Sequence, residues 1–217
     1  MATGKGKAGK GTAKKRETGR QLGHVSHLRV PRESSLPEDL RKYMRICREK
    51  LGLVPNVIRA FSLRPAKLRT FIASYGELML SPDSALTKLE REMIAVTVSS
   101  HNHCVYCIVA HGQAVRELSG DPMLGDILSV NYRDATLSPR HRAMLDYAWK
   151  LTATPWLVGE ADRAALRKAG FDDEGIFDVT DVAGYFNYTN RMATGVGMAP
   201  NDEYFAMSRL PPPAGRA

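Results

Sequence analysis

Helix start and stop signals recur along almost the whole chain, and they constrain its fold more than any other feature. Proline or a hydroxyl residue precedes several apolar segments that have the period of one helix face, and glycine follows them. The clearest start signal is the T-x-x-E capping box of Thr87 and Glu90, directly before "REMIAVTV". No segment alternates apolar and polar residues convincingly, as a strand would. The sequence therefore predicts an all-α fold.

The same signals give the predicted helix positions and one domain over residues 30–207. Predicted helices run from Pro37 to Gly52, through "NVIRAFSL" after Pro55, through "AKLRTFIASYGELML" after Pro65, through "RHRAMLDYAWKLT" after Ser138 and Pro139, from Glu160 to Ala169, and from about Asp173 to Met192. Residues 1–25 form a predicted disordered basic tail, and residues 208–217 form a Pro-rich C-terminal tail.

The net charge is concentrated in the N-terminal tail. Residues 1–20 hold seven basic residues and one acidic residue, so +6 of the net charge of +8 lies there. The tail has no aromatic residues between its charges, which favours a solubilising extension over a non-specific contact with nucleic acid. No run reaches the roughly 18 apolar residues of a membrane span, and no segment resembles a signal peptide. We therefore expect a cytoplasmic protein with no membrane contact.

Two of the three cysteines lie in "SHNHCVYCIVAH", residues 100–111, and three kinds of site fit this segment. A metal site could use Cys104, Cys107 and His111 with His101 or His103, but no second Cys/His pair follows to complete a structural zinc site. A static disulfide would close a very small loop and stabilise little. Because that second pair is missing, we expect no bound metal. The third cysteine, Cys47, lies on the apolar side of a predicted helix, as a buried small hydrophobic residue would.

A reactive thiol pair is the remaining interpretation. The polar residues Ser99, Ser100 and Asn102 can cap a helix that begins at Cys104, where the helix dipole favours a thiolate. On that helix Cys104, Cys107 and His111 would lie within an arc of about 60°. Since Cys107 and His111 are four residues apart, His111 could accept the proton of the thiol.

Glu92 is the candidate partner of the histidine. It lies in a predicted helix whose next residues are strongly apolar, so its carboxylate should be partly buried and should need a partner. His111 would be such a partner, which gives a nucleophile, a base and a residue that orients the base. The alternatives are a solvated carboxylate at a helix start and a histidine that belongs only to the core.

The spacing of these residues resembles the active-site pattern of the alkylhydroperoxidase D family. The pattern is Glu92, eleven residues, then Cys104-x-x-Cys107-x-x-x-His111. That family belongs to the all-helical carboxymuconolactone decarboxylase-like superfamily. The segments "LTKLEREMIAVTVSSHNHCVYCIVAHG", "LGLVPNVIRAFSLRP" and "YFNYTNRMATGVGMAPNDEY" look like its branch of peroxidase-related proteins, and the resemblance covers about residues 35–207.

The resemblance implies a two-cysteine peroxidase that needs no cofactor. In such an enzyme a thiolate attacks the peroxide and becomes a sulfenic acid, the second cysteine forms a disulfide with it, and an external dithiol or protein reductant restores the thiols. Family members assemble as trimers or hexamers, so we expect a homo-oligomer. The best-studied members have a histidine between the cysteines, where this chain has Tyr106. A phenol carries protons less well near neutral pH, and we expect His103 to take over part of that role.

Cys107 is the predicted attacking thiol, and Cys104 is the predicted resolving thiol. A hydrogen bond from a charged histidine is worth about 1.5–3 kcal/mol, whereas the helix dipole that favours Cys104 is worth about 0.3–1 kcal/mol. The family's proposed mechanism points the same way. Three other functions remain open: a disulfide reductase or redox sensor for a protein partner, a lactone decarboxylase-like enzyme, and a nucleic-acid-associated protein that works through its basic tail.

Overall fold

The structure is a computed structural model that describes residues 22–210, and within this range it is all-helical with no strand. The nine α-helices of these residues are α1 (Glu38–Leu51), α2 (Asn56–Phe61), α3 (Pro65–Tyr75), α4 (Lys88–His101), α5 (Val105–Ser119), α6 (Leu124–Asn131), α7 (Pro139–Ala153), α8 (Glu160–Lys168) and α9 (Asp173–Gly195). A π-helical turn, Gly76–Leu80, extends α3, and short 3-10 turns lie at Glu33–Ser35, Tyr132–Asp134, Pro155–Leu157 and Asp202–Phe205. The predicted all-α fold is confirmed.

The predicted helix boundaries rest on local hydrogen bonds that the structure contains. The Thr87 hydroxyl accepts from the backbone N–H of Glu90 at 3.2 Å, and the Glu90 carboxylate accepts from the N–H of Thr87 at 2.8 Å. Together they form the predicted capping box before α4. Ser138 caps α7 in the same way. Gly52 ends α1 in the left-handed region, with φ of 74°, which glycine adopts without strain.

The structure differs from the predicted helices at two places. Helix α2 ends at Phe61, two residues before its predicted segment ends, whereas α9, predicted to run to about Met192 and to end near Gly195 and Gly197, does end at Gly195. A short helix that the periodicity did not indicate, α6, follows α5 and packs against it. Of its eight residues only Gly125 and Leu128 are buried, so its apolar pattern is too short to recognise.

Both predicted tails extend beyond the described residues. Residues 1–21 of the N-terminal tail and residues 211–217 of the C-terminal tail lie outside them. Near the start of the described chain, the carbonyl of Val25 accepts a hydrogen bond from the N–H of Ala199, and a ring nitrogen of His24 lies 3.1 Å from the carbonyl oxygen of Gly197. The described chain therefore begins in contact with the segment that follows α9.

Helix α4 is the centre of the fold. All eleven residues from Glu90 to Ser100 are buried, because α5, α6, α7 and α9 surround the helix. Its charged residues have partners: Glu90 binds Arg140 at 2.8 Å, and Arg91 donates to the carbonyl of Ser81 at 2.9 Å. Such pairing is what a buried charge requires. The third charged residue of this stretch, Glu92, belongs to the site described below.

A second apolar cluster lies at the N-terminal side of the domain. It is formed by α1, α2 and α3 with the segment before α1, and its buried members are Leu36, Leu40, Met44, Ile58, Leu68 and Phe71. Tyr75 and Tyr185 contact both this cluster and the main core. The space between the two clusters is therefore walled by α1–α3 on one side and by α4, α5 and α9 on the other. Among the described residues, no helix is long and apolar enough to cross a membrane.

The crossing of α5 and α6 requires glycine, and we expect Gly125→Ala to destabilise the protein. A β-carbon at Gly125 would lie 2.4 Å from the carbonyl oxygen of Gly112. Both glycines are part of a helix, so neither backbone can move aside at low cost. Overpacking of this kind costs about 1–3 kcal/mol. The control is Gly184→Ala in α9, where a β-carbon meets no atom within 4 Å and should stabilise by roughly 0.5–1 kcal/mol. Urea unfolding measures both, and equal effects would contradict the close crossing.

Candidate active site

The turn between α4 and α5 carries the cysteine pair. Helix α4 continues through Ser99 and Ser100 to His101, and Asn102 follows it as its C-cap. His103 then adopts a left-handed conformation with φ of 53°, which is uncommon for a residue other than glycine. This sharp turn makes Cys104 the first, non-helical position of α5 and places Cys107 in the first turn of that helix.

The prediction that Ser99, Ser100 and Asn102 cap the cysteine helix is wrong. Cys104 itself occupies the N-cap position, and it makes no regular side-chain capping bond there. The three polar side chains instead bind distant helices, as their hydrogen bonds show. Ser100 donates to the carbonyl of Ser129 at 2.6 Å, Asn102 donates to Asn190 at 2.9 Å, and Asn190 donates to the Ser99 hydroxyl at 2.9 Å. Their polar groups therefore form hydrogen bonds with residues of α6 and α9 and do not cap α5.

Cys104 and Cys107 are both free thiols and both are buried, with exposed fractions of 1% and 3%. They pack against Ala193 and Met198, at the end of α9. The third cysteine, Cys47, is a free, buried residue of α1, and burial raises the pKa of its thiol. The pair thus lies within a small apolar cluster, away from bulk solvent.

The pKa values of the two thiols are shifted in opposite directions, because the two sulfurs interact with each other. A hydrogen bond from the Cys107 thiol is the main reason that the pKa of Cys104 falls to about 7. The backbone N–H of Cys107, the hydroxyl of Thr194 and the positive charge of His111 in its protonated form lower it further, while burial opposes the shift. The pKa of Cys107 is raised well above its usual value, first by its bond to Cys104 and then by burial. As the pH rises through about 7 the pair therefore loses one proton, and the proton that it keeps lies on Cys107.

Two side chains favour the thiolate of Cys107. Hydrogen bonds from Asn190 and Ser99 act to lower its pKa, against the larger effects of Cys104 and burial. Asn190 is buried in α9, and its amide also holds Asn102 and Ser99 in place. The cysteine turn is therefore tied to α9 by the same asparagine that can stabilise the charged form of the inner sulfur.

Glu92 and His111 form a buried pair next to the cysteines. An oxygen of the Glu92 carboxylate lies 2.6 Å from Nδ1 of His111, and both side chains are about nine-tenths buried. The edge of the imidazole packs against the ring of Phe186, with centroids 4.6 Å apart. The contact places the Nδ1 proton towards the carboxylate, so Nε2 is the nitrogen that can accept a proton. The predicted contact of Glu92 with His111 is present in the structure.

One cavity of about 630 Å³ brings the site together. Glu92, Cys107, His111 and Tyr106 line it, whereas Cys104 does not. Its walls are mainly apolar, and the aromatic residues among them are Tyr43, Phe61, Phe71, Tyr75, Tyr106, Tyr185, Phe186 and Tyr204. A small molecule in this cavity would meet the sulfur of Cys107, with Cys104 on the far side of the pair.

The two predicted auxiliary residues differ in position. Tyr106 is buried and lines the cavity, and its hydroxyl accepts a hydrogen bond from the N–H of Val57 at 3.1 Å. Burial raises its pKa well above that of an ordinary tyrosine. His103 is exposed on the turn and does not line the cavity. The structure thus brings Tyr106 to the other four predicted residues and leaves His103 outside.

Sequence reasoning missed three residues that contact or face the cysteine pair. Thr194 and Asn190 act on the sulfurs from α9, and Tyr185 lines the cavity near them. A signal existed in "YFNYTN", where polar residues interrupt the apolar face of a long helix. It could not identify the partners, which lie more than 75 residues earlier in the chain. No group of three or more His, Cys, Asp or Glu side chains within residues 22–210 could hold a metal ion.

Known proteins resemble the chain in both sequence and structure. Residues 66–122 match the model of the carboxymuconolactone decarboxylase family. An uncharacterized peroxidase-related protein from Silicibacter sp. TM1040 shares 50% identity, over 88% of this chain and 99% of that one, with a TM-score of 0.84. An uncharacterized peroxidase-related protein from Ralstonia eutropha JMP134, described as having an alkylhydroperoxidase AhpD core, shares 44% identity, over 87% and 99%, with a TM-score of 0.85.

More distant structures share only the fold. The debrominase Bmp8 has 15% identity, over 82% of this chain and 94% of that one, with a TM-score of 0.67. No curated protein matches the chain. The two similar peroxidase-related structures span almost the whole described domain, and the family match includes the cysteine turn and Glu92. The chain therefore belongs to the carboxymuconolactone decarboxylase family, within its alkylhydroperoxidase D-like group of peroxidase-related proteins.

Proposed function

We propose that the protein is a thiol-dependent peroxidase that uses Cys107 and Cys104 as a redox pair and needs no cofactor. The observation that carries the proposal is the cavity in which Cys107 lies with the His111–Glu92 pair, while Cys104 lies behind it within hydrogen-bond reach. These are the groups that peroxide reduction requires: a nucleophilic sulfur, a proton acceptor held in one orientation, and a second thiol.

The reaction begins with the proton on Cys107. Nε2 of His111 accepts it, and the thiolate attacks the outer oxygen of the peroxide, so that an S–O bond forms as the O–O bond breaks. Cys107 becomes a sulfenic acid, and the leaving alkoxide takes the proton from His111 to become an alcohol. The thiolate of Cys104 then attacks the sulfur of Cys107, so that the S–S bond forms as the S–O bond breaks, and the hydroxide that leaves takes a proton from solvent to become water. A small dithiol reduces the resulting disulfide and restores both thiols.

Access and acidity favour different sulfurs as the nucleophile. Cys104 is the more acidic thiol, but it does not line the cavity. Cys107 lines the cavity four residues before His111, and Asn190 and Ser99 favour its thiolate. We assign the attack to Cys107, because a nucleophile must reach the peroxide before its acidity matters. The low pKa of Cys104 suits the resolving step, in which it acts as a ready thiolate.

The burial of the pair supports a small substrate over a protein disulfide. With exposed fractions of 1% and 3%, neither sulfur can reach a disulfide on the surface of another folded protein unless the turn opens. The cavity admits a small molecule to Cys107 without any such change.

The proposal also includes assembly of the protein into a homo-oligomer, which sedimentation would measure. Exposed large apolar side chains support it, among them Val130, Trp156, Phe177 and Met123.

The direct test is peroxide consumption by the purified protein with a small dithiol in excess. We expect tert-butyl hydroperoxide and cumene hydroperoxide to yield their alcohols in equal amount to the dithiol oxidised. The pair loses its first proton near pH 7, because the pKa of Cys104 is lowered to about 7. The Cys104 thiolate, which resolves the sulfenic acid, becomes more populated as the pH rises, so the rate of disulfide formation should increase through this pH. Turnover of disulfide substrates with no loss of any peroxide would instead favour a disulfide reductase.

A further inference from the structure

The hydroxyl of Tyr185 is buried, and among residues 22–210 it has no hydrogen-bond partner. Nearly all buried polar groups in folded proteins have a partner, so an unpaired one requires an explanation. Only two other buried side-chain atoms in this range lack a partner, on Arg91 and Thr97, and neither residue lines the cavity. The Tyr185 hydroxyl is thus the orphaned polar group that belongs to the candidate active site.

The position of Tyr185 is fixed by its neighbours. It lies on α9, directly before Phe186, whose ring packs against the imidazole of His111. Its own ring contacts that of Phe71 at 6.3 Å and that of Phe186 at 5.8 Å between centroids. Tyr185 lines the same cavity as Cys107 and His111. These contacts hold the phenol in the cavity wall that faces α1–α3, near Cys107.

The chemistry of this phenol suits it to donate a hydrogen bond and keep its proton. Burial, with the nearby Tyr188 and Cys107, raises the pKa of Tyr185. It therefore remains protonated whenever a thiolate is present. Tyr106, the residue between the two cysteines, has its hydroxyl engaged by the N–H of Val57. Of these two phenols, the one on the cysteine turn is therefore engaged, and the one on α9 is free to donate.

We propose that Tyr185 is a catalytic residue whose hydroxyl donates a hydrogen bond to the oxygen that leaves when the peroxide O–O bond breaks. This inference rests on the proposed peroxidase function. As the sulfur of Cys107 bonds to the outer oxygen, negative charge develops on the oxygen attached to carbon. The Tyr185 hydroxyl stabilises that charge and keeps its own proton, while the proton taken from Cys107 passes from His111 to the alkoxide. A donor aimed at developing charge acts mainly on the transition state.

The experiment compares Tyr185→Phe with wild type and with Tyr188→Phe. Tyr188 is on the same helix, is half exposed and does not line the cavity, so it controls for loss of a phenol hydroxyl. With tert-butyl hydroperoxide we expect Tyr185→Phe to lower the rate constant of Cys107 oxidation by about tenfold to a hundredfold. The midpoint of thermal unfolding should not fall, because the hydroxyl that is removed has no partner to lose.

Two further reactions separate a chemical role from a structural one. Peracetic acid releases a carboxylate, which needs less stabilisation than an alkoxide, so its rate should fall much less in Tyr185→Phe. Diamide oxidises the thiol pair without breaking an O–O bond, and its rate should not change. Equal rates with tert-butyl hydroperoxide in wild type and Tyr185→Phe, or an equal fall with all three oxidants, would overturn the proposal. Wild type that consumes no peroxide would overturn the proposed function itself and this inference with it.

Discussion

Cys107→Ser should abolish peroxide reduction, with a loss on the order of a thousandfold or more in rate, whereas Cys104→Ser should still reduce one equivalent of peroxide. The reason is that Cys107 is the member of the pair that lines the cavity, and the other cysteine that lines it, Cys47, has a thiol whose pKa is raised by burial, so the removal of Cys107 leaves no activated nucleophile for a bound peroxide. Without Cys104 the first step remains possible, but the sulfenic acid has no neighbouring thiol to form a disulfide. Multiple turnover should therefore fail in both variants for different reasons.

Trapping of the sulfenic acid tells the two variants apart. Each is treated with one equivalent of peroxide in the presence of dimedone, and the adduct is located by mass spectrometry. We expect an adduct on Cys107 in Cys104→Ser and little adduct in Cys107→Ser. Cys47 lines the same cavity and provides an internal control for access alone, because burial raises the pKa of its thiol and it should remain unlabelled. Rapid labelling of Cys104 in Cys107→Ser would mean that acidity, and not access to the cavity, selects the nucleophile.

Glu92→Gln should lower the peroxidase rate by about a hundredfold to a thousandfold while the fold is retained. The carboxylate accepts the Nδ1 proton of His111, which leaves Nε2 free to act as the base. A glutamine can present its amide N–H to Nδ1 and so favour the other tautomer, in which Nε2 already carries the proton. Proton acceptance by a positioned base is worth about 10²–10⁴ in rate, which sets the expected loss.

The matched control for this variant is Glu49→Gln, which neutralises an exposed carboxylate on α1. Its rate should equal that of wild type. Single-turnover oxidation of Cys107 measures the step directly, and circular dichroism with thermal unfolding checks the fold. If Glu92→Gln retained the wild-type rate at every pH, the His111–Glu92 pair would have only a structural role, as a satisfied pair of core residues.

The parts of this molecule that sequence could predict are those that local chemistry determines. The capping box of Thr87 and Glu90 uses atoms three residues apart, so its pattern identifies both the cap and the start of α4. The four-residue spacing of Cys107 and His111 likewise places both on one face of a helix. The contact of Glu92 with His111 joins adjacent helices across a short turn, and the family spacing was sufficient to predict it.

What could not be predicted depends on which distant residues meet. Ser99, Ser100 and Asn102 have the composition of a cap, and nothing local shows that their partners are Asn190 and the backbone of Ser129. The same limit applies to Tyr185, whose sequence neighbours indicate an ordinary core position on α9. Only the packing of α9 against α4 and α5 brings its side chain to the wall of the cavity.

The burial of Glu90–Ser100 within α4 has a consequence for how activity is lost under stress. Regions that open by local fluctuation are those with few buried contacts, and α4 is at the opposite extreme. Its amides should therefore be among the slowest to exchange with deuterium. Glu92 is carried on this helix, so the orientation of the base is maintained until the domain melts cooperatively. Heat inactivation and loss of helical circular dichroism should share one midpoint, with no partly melted species in which the core survives and the carboxylate has been displaced.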